Sequence, residues 1–317
     1  MEIRLENNTL IISGIDGFDL AKSCACGQAF RWKENPDGSW QSVLHSRPVK
    51  VKQNGSILSV YPCREGDEQL FIDYFDLERN YAPIVDFVTC DSTLCVCMPC
   101  ASGIRVFNQE PFEALISFII SANNNIKRIS GIVERLCRLA GEELELDGET
   151  LYAFPKPERI AALTVEELKD IGSGYRAPYI KASAQRIVDG YDLEPLRNMS
   201  LDEARKELLT FLGVGPKVAD CILLFSLGHT DAFPVDVWIG RAMKELYFDS
   251  EPPTKAALNK VIENIGHYSG IVQQYIFYYV RSIGLGKYCL TQYHHDLTEY
   301  ALDRIDKASE GSAAQIV

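Results

Sequence analysis

The sequence predicts an α+β protein: an antiparallel β-sheet domain over residues 1–107, then an all-helical domain over 108–310, with a frayed tail at 311–317. Two observations predict this. Short runs rich in β-branched and aromatic residues, separated by turn dipeptides, fill the first third of the chain. From Pro111 onward the apolar residues recur at helical spacing, and no strand pattern returns. A length of 317 residues is enough for two such domains, each with its own core.

In chain order, "TLIISG" (9–14), "AFRW" (29–32), "WQSVLH" (40–45), "VKVKQNG" (49–55) and "ILSVYP" (57–62) read as strands. Asn-Pro-Asp-Gly (35–38) and Asn-Gly (54–55) mark turns between them. "DEQLFIDYFDLERNYAPIVDFV" then turns helical. "EPFEALISFIISA" places Phe112, Leu115, Ile116 and Ile119 on one helix face. "NIKRISGIVERLCRLAG" aligns Ile126, Ile129, Val133, Leu136 and Cys137 and stops at Gly141. "SLDEARKELLTFLG" starts on Ser200 as N-cap. "GIVQQYIFYYVRSIGLG" is apolar enough to be a buried helix. The second domain thus holds about ten short helices.

Composition narrows the function classes. Apolar residues at 46% and charged residues at 24% describe a soluble globular chain. No apolar run reaches the roughly 18 residues of a membrane span, so no membrane partner is expected. The start, MEIRLENNTL, lacks the basic and apolar regions of a signal peptide. The expected location is therefore intracellular: the nucleoid of a bacterial cell or the nucleus of a eukaryotic one. Ten cysteines include the cluster Cys90, Cys95, Cys97 and Cys100. With no histidine near and only one residue between Cys95 and Cys97, it reads as buried thiols rather than a zinc knuckle. No metal site is predicted.

The formal net charge of −12 argues against a nucleic-acid partner when taken alone. The distribution argues otherwise. "EELELDGE" (142–149) carries five acids and no bases, whereas "GSGYRAPYIKASAQRI" (172–187) carries three bases and no acids. Residues 121–138 hold Lys127, Arg128, Arg135 and Arg138 against Glu134 alone. An acidic protein with such segregation can present one positive face.

The most informative stretch is "FLGVGPKVADCILLFSLGHTDAFPVDVWIGRAM" (211–243). Gly213-Val214-Gly215 makes a tight turn, and Pro216 suits the first position of the helix after it. The unpaired N–H groups of that helix start can receive a phosphate oxygen. This is a helix-hairpin-helix DNA-binding element; an ordinary αα-hairpin is the plainer alternative. Lys217 sits in the first turn, where the helix's positive end disfavours the ammonium form and favours a nucleophilic amine. A lysine that only grips phosphate is the alternative reading. Asp236 falls at the N-cap of the next helix, where a carboxylate stays ionised. Beside Lys217 it could steady positive charge on a sugar as its base departs; an ordinary cap is the alternative. The pairing of the two within one hairpin region favours chemistry.

At this point the chain resembles the helix-hairpin-helix-GPD glycosylases, and most closely the 8-oxoguanine DNA glycosylase/lyase family. The resemblance runs from about Ala25 to Leu285. It rests on "CGQAFRW" (26–32), "FIISANNNIKRISGIVERLC" (118–137), "GSGYRAPYI" (172–180), "GVGPKVADC" (213–221), "FPVDV" (233–237) and "YSGIVQQYIF" (268–277). It implies a bifunctional DNA glycosylase/lyase of base excision repair that flips oxidised guanine, paired with cytosine, out of double-stranded DNA. The Lys217 amine would attack the sugar, Asp236 would stabilise the charge that develops, and the Schiff base formed would support strand cleavage. No cofactor is implied, and the enzyme is expected to be a monomer.

The same resemblance implies roles for further residues. The Gly27 carbonyl would accept the N7–H that only the oxidised base carries. Phe277 and Cys221 would sandwich the base, and Gln273 would bind its Watson–Crick edge. Tyr175 would fill the gap in the stack, and Asn123, Arg128 and Arg176 would hold the orphaned cytosine. Gly213 and Gly215 would bring the hairpin close to the DNA backbone. Trp238 departs from the pattern, since well-known members have histidine there, so a phosphate contact from that position is in doubt. Two related classes fit less well. Iron–sulfur glycosylases need four cysteines after the catalytic helix, whereas only Cys289 lies beyond Cys221. Alkylpurine glycosylases lack the lysine. A non-enzymatic DNA-binding module would have no use for Lys217, Asp236 and Gln273 together.

Overall fold

The computed structural model describes residues 1–284. The predicted tail at 311–317, the last part of the helical domain up to 310, Leu285 and Cys289 lie outside the described residues. Six strands form one antiparallel sheet: β1 (Glu2–Glu6), β2 (Thr9–Ser13), β3 (Lys33–Glu34), β4 (Trp40–Leu44), β5 (Arg47–Asn54) and β6 (Ile57–Tyr61). Their order across the sheet is β1-β2-β6-β5-β4-β3. Two-residue turns set the register. Asn7-Asn8 joins the paired ends Glu6 and Thr9, and His45-Ser46 joins Leu44 and Arg47; all four turn residues take positive φ, as tight hairpins of this hand require. One face of the sheet buries Leu10, Ile12, Val49, Val51, Leu58 and Val60 against Phe71, Phe75 and Phe107.

The expected strands at 9–14, 40–45, 49–55 and 57–62 are β2, β4, β5 and β6. The expected strand "AFRW" is not one. Ala29 and Phe30 are buried, but the polar ends of the next two side chains pull the chain away from the sheet. Arg31 pairs with Glu113 at 3.2 Å and donates to the Tyr152 carbonyl, and Trp32 Nε1 donates to the Tyr74 hydroxyl at 3.0 Å. The sheet resumes only at Lys33.

Of four short helices, α1 (Leu20–Ala25) and α2 (Glu68–Tyr74) pack on the sheet, whereas α3 (Ala82–Cys90) and α4 (Met98–Ala101) bury Ile84, Val88 and Ala101 in the core of the helical domain. The helical domain follows, as α5 (Pro111–Ser121), α6 (Ile126–Ala140), α7 (Pro157–Ala162), α8 (Val165–Leu168), α9 (Ala177–Val188), α10 (Leu201–Leu208), α11 (Pro216–Ser226), α12 (Val237–Tyr247), α13 (Lys255–Ile265) and α14 (Ser269–Ser282). Ser200 caps α10 in a reciprocal box with Glu203. Helix α5 was expected to bury one face, yet it is buried from Ala114 to Ser121, because α6, α9 and α11 surround it.

One element corrects the expectation that no strand returns. Between α6 and α7 the chain forms a hairpin of β7 (Glu143–Leu146) and β8 (Glu149–Tyr152), turned on Asp147-Gly148. It docks on the sheet through Lys50 to Asp147 and Gln41 to Glu149. Gly141 ends α6 as predicted, but with φ −78°. Its need for glycine is space: an added Cβ would lie 2.0 Å from the Ala153 carbonyl oxygen.

Of the clustered cysteines, Cys97 is buried, Cys100 half-buried, and Cys90 and Cys95 exposed. Among the described residues no three His, Cys, Asp or Glu side chains converge as a metal-binding group. No single described helix is long and apolar enough to cross a membrane.

Candidate active site

The hairpin folds as its glycines dictate. Gly213 takes φ +82°, and an added Cβ would strike the Tyr179 ring of α9 at 2.6 Å. Gly215 is different. It caps α11 at φ −93°, with nothing within 4 Å of where a Cβ would stand. The fold itself does not demand a glycine there; the bare backbone leaves the helix start open to an approaching group. Pro216 takes the first helical position, as expected.

Lys217 follows. Its Nζ donates to Ser121 Oγ at 3.2 Å and stands 5.6 Å from the centroid of the Phe118 ring, both on α5. Asp236 caps α12, accepting from the Ile239 N–H at 2.8 Å. Cys221 stands one helical turn beyond Lys217 on the same face of α11. Burial pushes the Cys221 thiol up to about 11; the Lys217 cation, which also hydrogen-bonds it, pulls it down, and the Asp220 and Asp236 anions push it up.

Helix α14 supplies the neighbouring wall. Gln273 is 4% exposed; its Nε2 donates to the Pro234 carbonyl at 3.1 Å, two residues before Asp236. Its Oε1 is buried without a partner. A buried acceptor left unpaired costs about 1–3 kcal/mol, so this atom is poised for a donor from outside the protein. Phe277 is half-buried and lines Gly27, whose φ is +88°. A Cβ on Gly27 would meet Phe277 at 3.4 Å and Ile126 at 2.7 Å. The helix reaches this place because Gly270 lets it ride on the 230–232 backbone, where a Cβ would lie 2.3 Å from the Ala232 carbonyl oxygen.

The residues expected at the orphaned base divide. Tyr175 is 57% exposed and Asn123 is exposed with φ +50°. Arg128, in the first turn of α6, is exposed and has no ion-pair partner among the described residues. Arg176 departs from expectation. It is 4% exposed, and its guanidinium donates to the carbonyls of Ala122, Asn123 and Ser173. The Tyr175 ring covers it at 4.3 Å. Three carbonyls outbid solvent for this cation, so it holds the Asn123 loop and supports Tyr175 from beneath instead of reaching outward.

An open cleft of about 620 Å³ lies elsewhere, where Asp73, Asp76, Glu78, Glu110 and Glu194 outnumber Arg197 in its lining. Those carboxylates repel a phosphate backbone, whereas the first turn of α6, which follows the Ser121 that holds Lys217, carries exposed Lys127 and Arg128 with no ion-pair partner among the described residues.

Comparison with known proteins agrees with this geometry. Residues 10–115 match the family described as 8-oxoguanine DNA glycosylase, N-terminal domain, and residues 116–266 match the HhH-GPD superfamily base excision DNA repair protein. A probable N-glycosylase/DNA lyase of Methanothermobacter thermautotrophicus is 32% identical over 305 residues, covering 86% of this chain and 96% of its own. The chain belongs to the 8-oxoguanine DNA glycosylase family. An N-glycosylase/DNA lyase of Saccharomyces cerevisiae is 31% identical over 262 residues, covering 72% of this chain and 68% of its own. The structure of Clostridium acetobutylicum 8-oxoguanine glycosylase/lyase, bound to DNA with cytosine opposite 8-oxoguanine, superposes with a TM-score of 0.87 at 35% identity. It covers 90% of this chain and 99% of that one.

In this member of the 8-oxoguanine DNA glycosylase family, Trp238 is 39% exposed on the first turn of α12, with the Arg241 guanidinium 5.6 Å from its ring centroid. The structure also reveals partners that the sequence had not singled out: Ser121 and Phe118 around the Lys217 amine, and Gln274 and Arg281 behind Gly27. Phe118 and Ser121 stood in a helix and in the resembling stretch 118–137 without a role of their own; nothing local marks them as neighbours of a lysine 99 and 96 residues further along.

Proposed function

We propose that this protein excises 8-oxoguanine opposite cytosine in duplex DNA and then cleaves the strand at the emptied sugar, acting as an intracellular monomer. The observation that carries this reading is the buried Gln273 oxygen with no partner, on the side chain whose other end bonds the Pro234 carbonyl two residues before Asp236. The flipped base enters between Cys221 and Phe277. Gln273 Oε1 accepts from its Watson–Crick edge, and the Gly27 carbonyl accepts its N7–H. Guanine presents a bare acceptor at N7, so two acceptors would face each other. The Lys217 amine bonds to C1′ as the glycosidic bond breaks and the base leaves with the bonding electrons. The Asp236 carboxylate stabilises the positive charge that spreads over the sugar. Loss of a proton and ring opening give a Schiff base, and removal of a C2′ proton expels the 3′ phosphate.

Arg128 supports discrimination for cytosine, because its exposed donors match the acceptors of that base. Borohydride trapping on oligonucleotide duplexes tests the whole reading. The protein is expected to form a covalent band with 8-oxoguanine opposite cytosine, strongest among the four opposite bases, and Lys217→Gln is expected to abolish it. Binding without a band would instead identify a DNA-binding module. Equal bands for all four opposite bases would remove Arg128 from base selection.

A further inference from the structure

The loop that carries Gly27 is gripped at both ends and free in the middle. The Cys26 carbonyl accepts from Gln274 Nε2 at 3.1 Å and from Arg281 Nη1 at 3.3 Å. The Gln28 carbonyl accepts from Gln109 Nε2 at 2.8 Å. The Gln28 side chain is itself fixed on the backbone of Ser23, Arg105 and Phe107. Among the described residues, the Gly27 carbonyl between them has no hydrogen-bond partner.

The two donors on Cys26 come from one stripe of α14. Gln274 and Arg281 are seven residues apart, two helical turns, and so share a face. Gln273 and Phe277, four apart, form the adjacent stripe. A single helix thus holds the base-facing residues on one stripe and the Gly27 loop on the next. Arg281 touches both: its guanidinium stands 5.4 Å from the Phe277 ring centroid and 3.2 Å from where a Gly27 Cβ would be.

We infer that Gln274 and Arg281 are positioning residues for lesion recognition: by gripping the Cys26 carbonyl they aim the free Gly27 carbonyl at the N7 edge of the extruded purine. This rests on the proposed reading of the site. A carbonyl distinguishes N7–H from bare N7 only if it is held in line, since a hydrogen bond weakens steeply as its angle closes. Glycine, with its wide backbone freedom, does not hold itself. The ligand class is a purine with a hydrogen-bond donor at the N7 position.

The test is binding of cleavage-resistant 2′-fluoro duplexes carrying 8-oxoguanine, guanine or a tetrahydrofuran abasic analogue, each opposite cytosine. Arg281→Met keeps the apolar stem against Phe277 and removes the donor. We expect its preference for 8-oxoguanine over guanine to fall about tenfold, the worth of roughly one hydrogen bond, with tetrahydrofuran affinity unchanged. Arg281→Lys, which retains a donor and the charge, should restore part of the preference, and Gln274→Met should lower it as Arg281→Met does. An unchanged preference in Arg281→Met and Gln274→Met overturns the inference. So does a parallel loss on all three duplexes, which would mark a general DNA contact or a folding defect. If the unaltered protein itself fails to prefer 8-oxoguanine, the proposed function falls and this inference with it.

Discussion

Asp236 carries two roles that one substitution separates. Its side chain caps α12 through the Ile239 N–H, and its charge acts on the Cys221 thiol that follows Lys217 by one turn. Asn caps a helix about as well as Asp, so Asp236→Asn should leave the unfolding midpoint nearly unchanged. It removes the anion, and loss of a preorganised electrostatic partner typically costs about 10²–10³ in kcat. Single-turnover base release, compared with thermal unfolding, checks both halves; a large drop in stability with modest loss of rate would make Asp236 only a cap. Asp236 and Lys217 were legible in the sequence because each sits at a helix start that Gly-Val-Gly-Pro or Phe-Pro-Val announces. Gln274 and Arg281 were not, because they act on a carbonyl 248 and 255 residues away in the chain. Arg176 was visible as a cation, yet no local pattern tells whether a guanidinium faces solvent or three backbone carbonyls.

At the scale of elements, α10 and α11 are tied by Arg205 Nε to Asp220 at 2.7 Å. Asp220 is buried directly beside Cys221, and burial raises its carboxyl to about 6 despite the opposing pull of Arg205; Asp202 and Asp231 raise it further. In the unfolded chain the group titrates near the ordinary value of about 3.9. The folded state therefore holds this proton more tightly. The resulting stabilisation is complete below pH about 4 and is lost as pH rises through about 6, to the extent of roughly 3 kcal/mol. Asp220→Asn cannot titrate. Its stability relative to the unaltered protein should climb between pH 4 and pH 6 and level off above 7, as read from urea unfolding at each pH. Parallel profiles would mean that Arg205 fully compensates the burial. Most elements were legible, because turn dipeptides and helical spacing are local signals. The β7–β8 hairpin was missed although Asp147-Gly148 is a strong tight-turn signal, because the acids around it dominate the pattern. "AFRW" misled for the opposite reason: its strand-like composition yields to an ion pair with Glu113 and a hydrogen bond to Tyr74.

At the scale of the whole molecule, a chain of net charge −12 must still hold a polyanion. Helix α6 shows how. Its first turn, beside Asn123, carries exposed Lys127 and Arg128 with no acid among them. Cations at a helix start oppose its dipole by about 0.3–1 kcal/mol each, so they do not serve the helix. Its far end leads into the acidic hairpin with exposed Glu142, Glu143 and Glu145. Fifteen residues at 1.5 Å each separate the two ends by about 22 Å. The screening length is about 8 Å at 0.15 M salt and about 30 Å at 0.01 M, so the hairpin acids are hidden from bound DNA in the first case and felt in the second. Replacing all three by Gln should leave DNA affinity within about twofold at 0.15 M and tighten it several-fold at 0.01 M. Fluorescence anisotropy with one duplex at both salts measures this. Equal tightening at both would put the hairpin at the DNA surface, and the segregation of charge along α6 would no longer explain how an acidic protein binds its substrate.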